Sequence, residues 1–237
     1  MVKIAGSKKL KRQMAPMFWG ITRKDKRFVN TVRPGPHGKK ISVSTAVFLR
    51  DMLSIVKNLR EAKYAIYNGK VKVNGVKQKS LHHGIGLMDV VELDGVKEIY
   101  RMIPKDGILL KPIIIEDAEK TKKPSKVKSK TTIKNNKTQI GFHDGSSLID
   151  ETNVSVGDTC ILQIPEQKIL EVIKLENGVQ CLITKGANAG KIGTVNDIKK
   201  GTFILPKRVV LTLEDKQIEI PAELILVVGK DKPVIRI

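Results

Sequence analysis

The chain has 237 residues, 44 Lys/Arg against 24 Asp/Glu, a net charge of +20, 41% apolar residues and only 4% aromatic ones. That length exceeds one average domain, and the scarcity of aromatics leaves aliphatic side chains to pack several small cores. The self-repulsion argues against a free enzyme and for a polyanionic partner, while the basic runs lack the large apolar face of a membrane-surface helix and no apolar run reaches spanning length.

Residues 1–42 form a basic N-terminal arm with twelve Lys/Arg and one acid. Cations interrupt its start, so no signal peptide is expected and the location is read as cytoplasmic. "RPGPHGKK" (33–40) can be neither helix nor inner strand. A solvated tail is one reading. The other is an arm that orders against RNA, favoured by Phe18 and Trp19, because solvating tails seldom carry rings that can stack on bases. Lys8, Lys9, Lys11, Arg12, Arg23, Arg33, His37, Lys39 and Lys40 would then face the RNA, with Trp19 as stacking ring or anchor.

Residues 43–95 read as two helices and a small sheet. Ser42 or Ser44 can cap a helix along which Phe48, Met52, Ile55 and Leu59 make one apolar stripe. Asn58-Leu59-Arg60-Glu61 reads as a capping box that opens a second helix, with Ala62, Ala65 and Ile66 inward and Asn68-Gly69 as its stop. The period then falls to two in "KVKVNGVK" (70–77), where Asn74-Gly75 signals a hairpin turn. "MDVVELDG" (88–95) offers a further strand. Arg50, Lys57, Arg60, Lys63, Lys70 and Lys72, with Asn74 at the turn, are the candidate RNA contacts of this unit, and the cations can converge on one side of it. Cations on rigid helices suit A-form RNA, which is read by shape through phosphate and 2′-OH contacts.

From residue 97 the pattern predicts strands near 98–103, 108–115, 138–143, 158–163, 168–174, 179–184, 191–196, 202–205, 208–213, 217–220 and 224–228. Asp106-Gly107, Asp144-Gly145, Asn177-Gly178 and Lys200-Gly201 supply turns. Small β-barrels or sandwiches follow, divided into a central β domain (96–172) and a last one (173–237). The run "KTKKPSKVKSK" (120–130) reads either as a solvated linker or as an RNA-facing loop using Lys122, Lys123 and Lys126. Residues 138–177 reverse the charge, with two Lys/Arg against seven acids, and are expected to face solvent or a basic protein neighbour. Cys160 and Cys181 lack a CxxC spacing and read as buried reduced thiols. His37, His82, His83 and His143 fall in expected loops without zinc spacing, so no metal, cofactor or small-molecule substrate is expected.

"TKGANAGKIGTV" (184–195) gathers glycines around a lysine. A nucleotide loop needs four residues between its glycines and a Ser or Thr after the lysine. Here Gly186 and Gly190 stand closer than that, and Ile192 follows Lys191. Two readings remain: a barrel corner whose glycines relieve strain, or a loop set against an RNA backbone through Lys185, Gly186, Asn188, Gly190 and Lys191.

"REAKYAIYNGKVKVNGV" (60–76), with Arg50-Asp51 before it and Met88-Asp89-Val90 after it, resembles the αL RNA-binding module. That module occurs in a bacterial small-subunit ribosomal protein, in pseudouridine synthases and in some tRNA synthetases. "GANAGKIGTV" (186–195) looks like the KOW motif of ribosomal proteins and elongation factors. With "KRQMAPMFW", "RPGPHG", "FHDGSSL" and "VGDTCILQIPEQKIL" in this order, the chain resembles the e-type small-subunit ribosomal protein four family of archaea and eukaryotes. The resemblance implies an α+β multidomain protein, with a basic arm, an αL module, and two small β-barrel-like domains, the last SH3-like. It also implies a structural, non-catalytic role in which small-subunit rRNA and neighbouring ribosomal proteins are the partners. One departure is "KKPSKVKSKTT" (122–132), where relatives carry a more apolar strand and Pro124 argues against one. Another is Asn135-Asn136, where glycines are common. A pseudouridine synthase would need a large α/β catalytic core that the short-stranded remainder does not supply. A KOW-type elongation factor is the other alternative.

Overall fold

Three antiparallel five-stranded sheets follow one another along the chain. The computed structural model describes residues 9–213, 216–230 and 233–236. The first sheet holds β1 (Val71–Val73), β2 (Val76–Lys77), β3 (Val90–Leu93), β4 (Ile99–Lys105) and β5 (Ile108–Ile115), in the order β2-β1-β3-β4-β5. The second holds β6 (Lys122–Thr132), β7 (Thr138–Phe142), β8 (Ser147–Ile149), β9 (Thr159–Gln163) and β10 (Lys168–Ile173), in the order β8-β7-β6-β9-β10. The third holds β11 (Gln180–Ile183), β12 (Ile192–Lys199), β13 (Arg208–Thr212), β14 (Gln217–Pro221) and β15 (Ile225–Gly229), in the order β14-β13-β12-β11-β15. The molecule is therefore mostly β, and its few helical turns are short.

Local chemistry explains much of this. Asn74 and Gly75 both have positive φ (51° and 78°), as do Asp106 and Gly107 (54° and 75°). Two consecutive left-handed residues make the tight turn whose twist matches paired strands, so β1–β2 and β4–β5 are hairpins. A capping box between Asn58 and Glu61 starts α2 (Leu59–Tyr67). The backbone N–H groups of Lys57 and Asn58 donate to the Glu61 carboxylate and lower its pKa.

Four expectations need correction. The long first helix is instead one turn, α1 (Thr45–Val47), continued by a π-helical turn over Phe48–Met52. Ser54 takes φ 54° and breaks the stripe, leaving Ile55 and Leu59 exposed. The boundary expected at 95/96 falls inside the first sheet, because β3 pairs with β4 (Val91 opposite Tyr100). Residues 202–205 form no strand, and 203–205 bend instead.

The fourth correction concerns the lysine run. Residues 122–132 are a central strand: Lys122–Lys126 pair with β9, and Val127–Thr132 pair with β7 on the other edge. Val127 N–H points to Asp158 O, whereas Lys126 N–H points the opposite way, to His143 Nδ1. Pro124, two residues before Lys126, has its nitrogen on that second edge, where pairing starts only at Val127. No ladder bond is lost there, so proline is tolerated.

The described part of the arm is folded. Leu10, Ala15, Trp19, Val29 and Val32 join Val47, Phe48, Ile66, Val71, Ile85 and Met102 in one core. Met88, Ile103, Leu182, Leu226 and Val228 make a second core where the first and third sheets meet. Ile161 and Ile173 of the second sheet enter the core of the third. Cys160 and Cys181 are buried free thiols, which burial pushes up to about 11 and about 12.

Candidate nucleic-acid interface

One face of α2 combines exposed cations with exposed rings. The helix buries Ala62 and Ile66 and turns Arg60, Lys63, Tyr64 and Tyr67 to solvent. Lys63 Nζ lies 5.4 Å from the Tyr67 ring centre, and Lys70 Nζ lies 5.8 Å from that of Tyr64. Lys57 is exposed before the helix, and Lys72 is half-buried on β1 beyond it. The arrangement offers positive charge for phosphates beside rings able to stack on bases. The two tyrosines were absent from the sequence-based site, although their three-residue spacing on a capped helix was a usable signal. Arg50 is half-buried and bidentate to its neighbour Asp51 (2.6 Å at the shortest contact), so its charge is largely answered already.

A second set of cations is exposed on the arm and the strand ends: Lys9, Lys11, Arg33, Lys39, Lys40 and Lys122. Exposed Arg23 donates to Gln13 O at 2.6 Å, which holds the arm's fold. Lys8 lies outside the described residues.

Several expected RNA-contacting residues face inward, and these are corrections. Trp19 has no exposed surface, and its Nε1–H donates to Ser42 O at 3.0 Å, so it anchors the arm to its own core and presents no ring outward. Arg12 donates to the carbonyls of Thr22 and Lys26 and pairs with Asp25, serving as an internal tie within the arm. Asn74 spends its amide on Asp89 and on Val90 N–H, which fixes the hairpin. Lys126 Nζ donates to the carbonyls of Ala222 and Ile225, bridging the second and third sheets, and burial lowers its pKa to about 8.

Lys123 and His37 belong to a buried charge network that ties the arm, the first sheet and the second sheet together. Lys123 Nζ sits 2.8 Å from Asp89 Oδ1 and 2.7 Å from Asp144 Oδ2. His37 Nε2 lies 2.9 Å from Asp89 Oδ2, which also accepts from Gly86 N–H. Burial alone would raise the Asp89 pKa, but Lys123 and then His37 hold it well below the ordinary carboxylate range. Burial likewise opposes the Lys123 charge, and its two carboxylates outweigh that penalty and raise its pKa. Asp144, against the same desolvation, is held at about 2 by Lys123. Next to it, burial drives His143 down to about 4. The neutral His143 ring fits its contacts: Nδ1 accepts from Lys126 N–H, and Nε2–H donates to Leu87 O.

The glycine-rich loop between β11 and β12 leans on protein. Gly190 (φ 91°) stands so near β4 that an added Cβ would lie 2.6 Å from Lys105 Cα and 2.8 Å from Pro104 O. Gly107 N–H donates to Ala189 O at 3.0 Å, docking the β4–β5 turn on this loop. The close backbone approach at Gly190 is thus to the chain's own first sheet. Gly186 (φ 95°) faces open space, Lys185 and Lys191 are exposed, and Asn188 is half-buried, so this side of the loop remains free. Among the described residues no group of three or more His, Cys, Asp or Glu is placed to hold a metal ion.

Known proteins resemble the chain over nearly its full length. The family described as Ribosomal family S4e matches residues 96–169, and the RS4NT (NUC023) domain matches residues 5–40. The small ribosomal subunit protein eS4 of Methanosphaera stadtmanae is 35% identical, covering 99% of this chain and 98% of that protein. The eS4 protein of Ignicoccus hospitalis is 32% identical, covering 100% and 98%. The crystal structure of the 30S ribosomal protein S4e from Thermoplasma acidophilum is similar with a TM-score of 0.68 at 29% identity, covering 80% of this chain and 96% of that one.

Proposed function

The chain belongs to the S4e family of ribosomal proteins, and from that premise we propose that it is a structural, non-enzymatic constituent of the small ribosomal subunit, located with ribosomes in the cytoplasm. In this reading its partners are small-subunit rRNA and neighbouring ribosomal proteins. The α2 face and its hairpin act as an αL-type RNA-binding module, and the free side of the β11–β12 loop acts as a KOW element. The observation that carries the reading is full-length similarity to proteins named as small-subunit components, joined to the exposed Arg60, Lys63, Tyr64 and Tyr67. Phosphates meet the cations, released counterions supply free energy, and the rings take unstacked bases. The opposite charge of residues 138–177, with Glu151, Glu166 and Glu171 exposed, suits a basic protein neighbour.

Purified protein titrated with deproteinised small-subunit rRNA tests this. Affinity should fall steeply with salt, by about 0.7 to 0.9 in log K per log salt for each phosphate neutralised. Arg60→Ala with Lys63→Ala should lower that slope by about 1.5 while the unfolding midpoint stays put, because both side chains are exposed. A flat salt response, or absence of the protein from sedimenting small subunits at moderate salt, would sink the reading.

A further inference from the structure

The turn between β12 and β13 presents three exposed apolar side chains. Phe203 is 106% exposed, Ile204 is 86% exposed, and Leu205 is exposed beside them. This is an ordered display. Thr202 N–H donates to Leu205 O at 2.8 Å, and Leu205 N–H donates to Thr202 Oγ1 at 3.2 Å. Gly201 passes so close to Lys207 N that a Cβ there would lie 2.9 Å away. Below the turn, Glu219 ties Lys199 (2.9 Å) to Arg208 (3.2 Å), pinning the two strands that carry it.

The surroundings of the tip point to its partner. Residues 198–213 contain four Lys/Arg and no acid. Lys200 and Lys207 have no carboxylate partner among the described residues. Pro206 and Lys207, at the foot of the turn, help to line a cleft of about 430 Å³ whose lining also includes Lys128, Lys185 and one exposed carboxylate, Glu223. All three lysines are exposed. A protein pocket able to take three apolar residues would be expected to meet acids or neutral polar groups at the rim, and a membrane would need a broader apolar surface than one tip. Nucleic acid offers flat apolar base faces directly beside phosphates, the combination displayed here in complement.

We infer that the Thr202–Leu205 turn is a wedge for single-stranded RNA, in which Phe203 stacks on an unpaired base while Lys128, Lys185 and Lys207 hold the adjoining phosphates. The inference rests on the ribosomal reading above and adds to it a site on the third sheet, remote in sequence from α2.

The full chain and deproteinised small-subunit rRNA provide the test. Phe203→Ala should weaken binding by about tenfold with no change in salt slope, since one stacked base is lost and no charge is removed. Replacing Lys128, Lys185 and Lys207 together by Ala should lower the slope by about 2, at about 0.7 for each phosphate on a single strand. Phe203→Trp should keep the affinity, and its new emission should be quenched on binding, against a constant background from the buried Trp19. The wedge is overturned if Phe203→Ala binds rRNA like the parent chain. It is equally overturned if that variant is lost only from assembled subunits, which would assign the tip to a protein, or only from phosphatidylserine vesicles, which would assign it to a membrane. In each of those results the parent chain still binds rRNA with a steep salt slope, so the ribosomal reading stands. A parent chain with no such binding takes both down.

Discussion

Replacing Lys123 by Met should be among the most damaging single changes to this fold. The ammonium group is 3% exposed and is shared by Asp89 (1% exposed) and Asp144 (8%) at 2.8 and 2.7 Å. Methionine keeps the side-chain length but removes the charge, leaving two carboxylates facing an apolar chain. Asp89 would retain Asn74, Gly86 and His37, and Asp144 would retain only Ser146 N–H and Oγ. Removing one partner of a buried ion pair costs about 3–5 kcal/mol. With a urea m value of about 3 kcal/mol/M, the unfolding midpoint at pH 7 should fall by more than about 1 M. Adding Asp144→Asn should recover part of the loss, because one uncompensated charge disappears. The deficit should also shrink toward pH 4, as the unpaired carboxylates take up protons. A Lys123→Met midpoint within about 0.3 M of the parent chain, or a deficit independent of pH, would refute the assignment of this network as a clasp between the sheets.

Acid should destabilise the chain through His143. Its pKa of about 4 in the fold lies below the ordinary histidine value near 6.5, so the neutral ring's contribution is complete above about pH 6.5 and is lost as pH falls through about 4. The shift corresponds to about 3 kcal/mol, and His143→Gln should flatten the unfolding free energy between those two pH values. Gly190→Ala should destabilise the chain markedly, because the new methyl meets Lys105 and Pro104 backbone, whereas Gly186→Ala should cost only the left-handed strain of about 1–2 kcal/mol; equal thermal shifts would contradict the docking of this loop on β4. Trp19→Ala should cost about 3–5 kcal/mol and strip Ser42 O of its donor, seen as a lowered unfolding midpoint, and an unchanged midpoint would mean that the arm is not part of the core.

Signals confined to a few residues were legible in the sequence. The Asn58/Glu61 capping box, the turns at Asn74-Gly75 and Asp106-Gly107, and most strands from 98 onward stand where local spacing put them. Each depends on neighbours within about one turn or one hairpin, so local pattern suffices. The failures share a different cause. The stripe from Phe48 to Leu59 has helical spacing, yet Ser54 breaks it, because Ile55 and Leu59 have no core to face. The strand at 122–132 read as a solvated linker or an RNA-facing loop because its lysines suggested water or phosphate. Two of them instead find partners distant in sequence: Lys123 with Asp89 and Asp144, and Lys126 with the carbonyls of Ala222 and Ile225.

The chain's composition and local periodicity by themselves settled a basic protein with a capped helix, tight hairpins and short strands from residue 98 onward, whereas the α+β expectation gave way to a mostly β structure with few helical turns. Only the tertiary structure decided which of the positive charges stay exposed. Arg12, Lys123 and Lys126 are consumed inside, while Arg60, Lys63, Lys185 and Lys207 remain outside. The physical reason is desolvation. A cation can leave water only where carboxylates or carbonyls from other parts of the chain converge on it, and that convergence is a property of packed sheets, with no trace in the residues beside it.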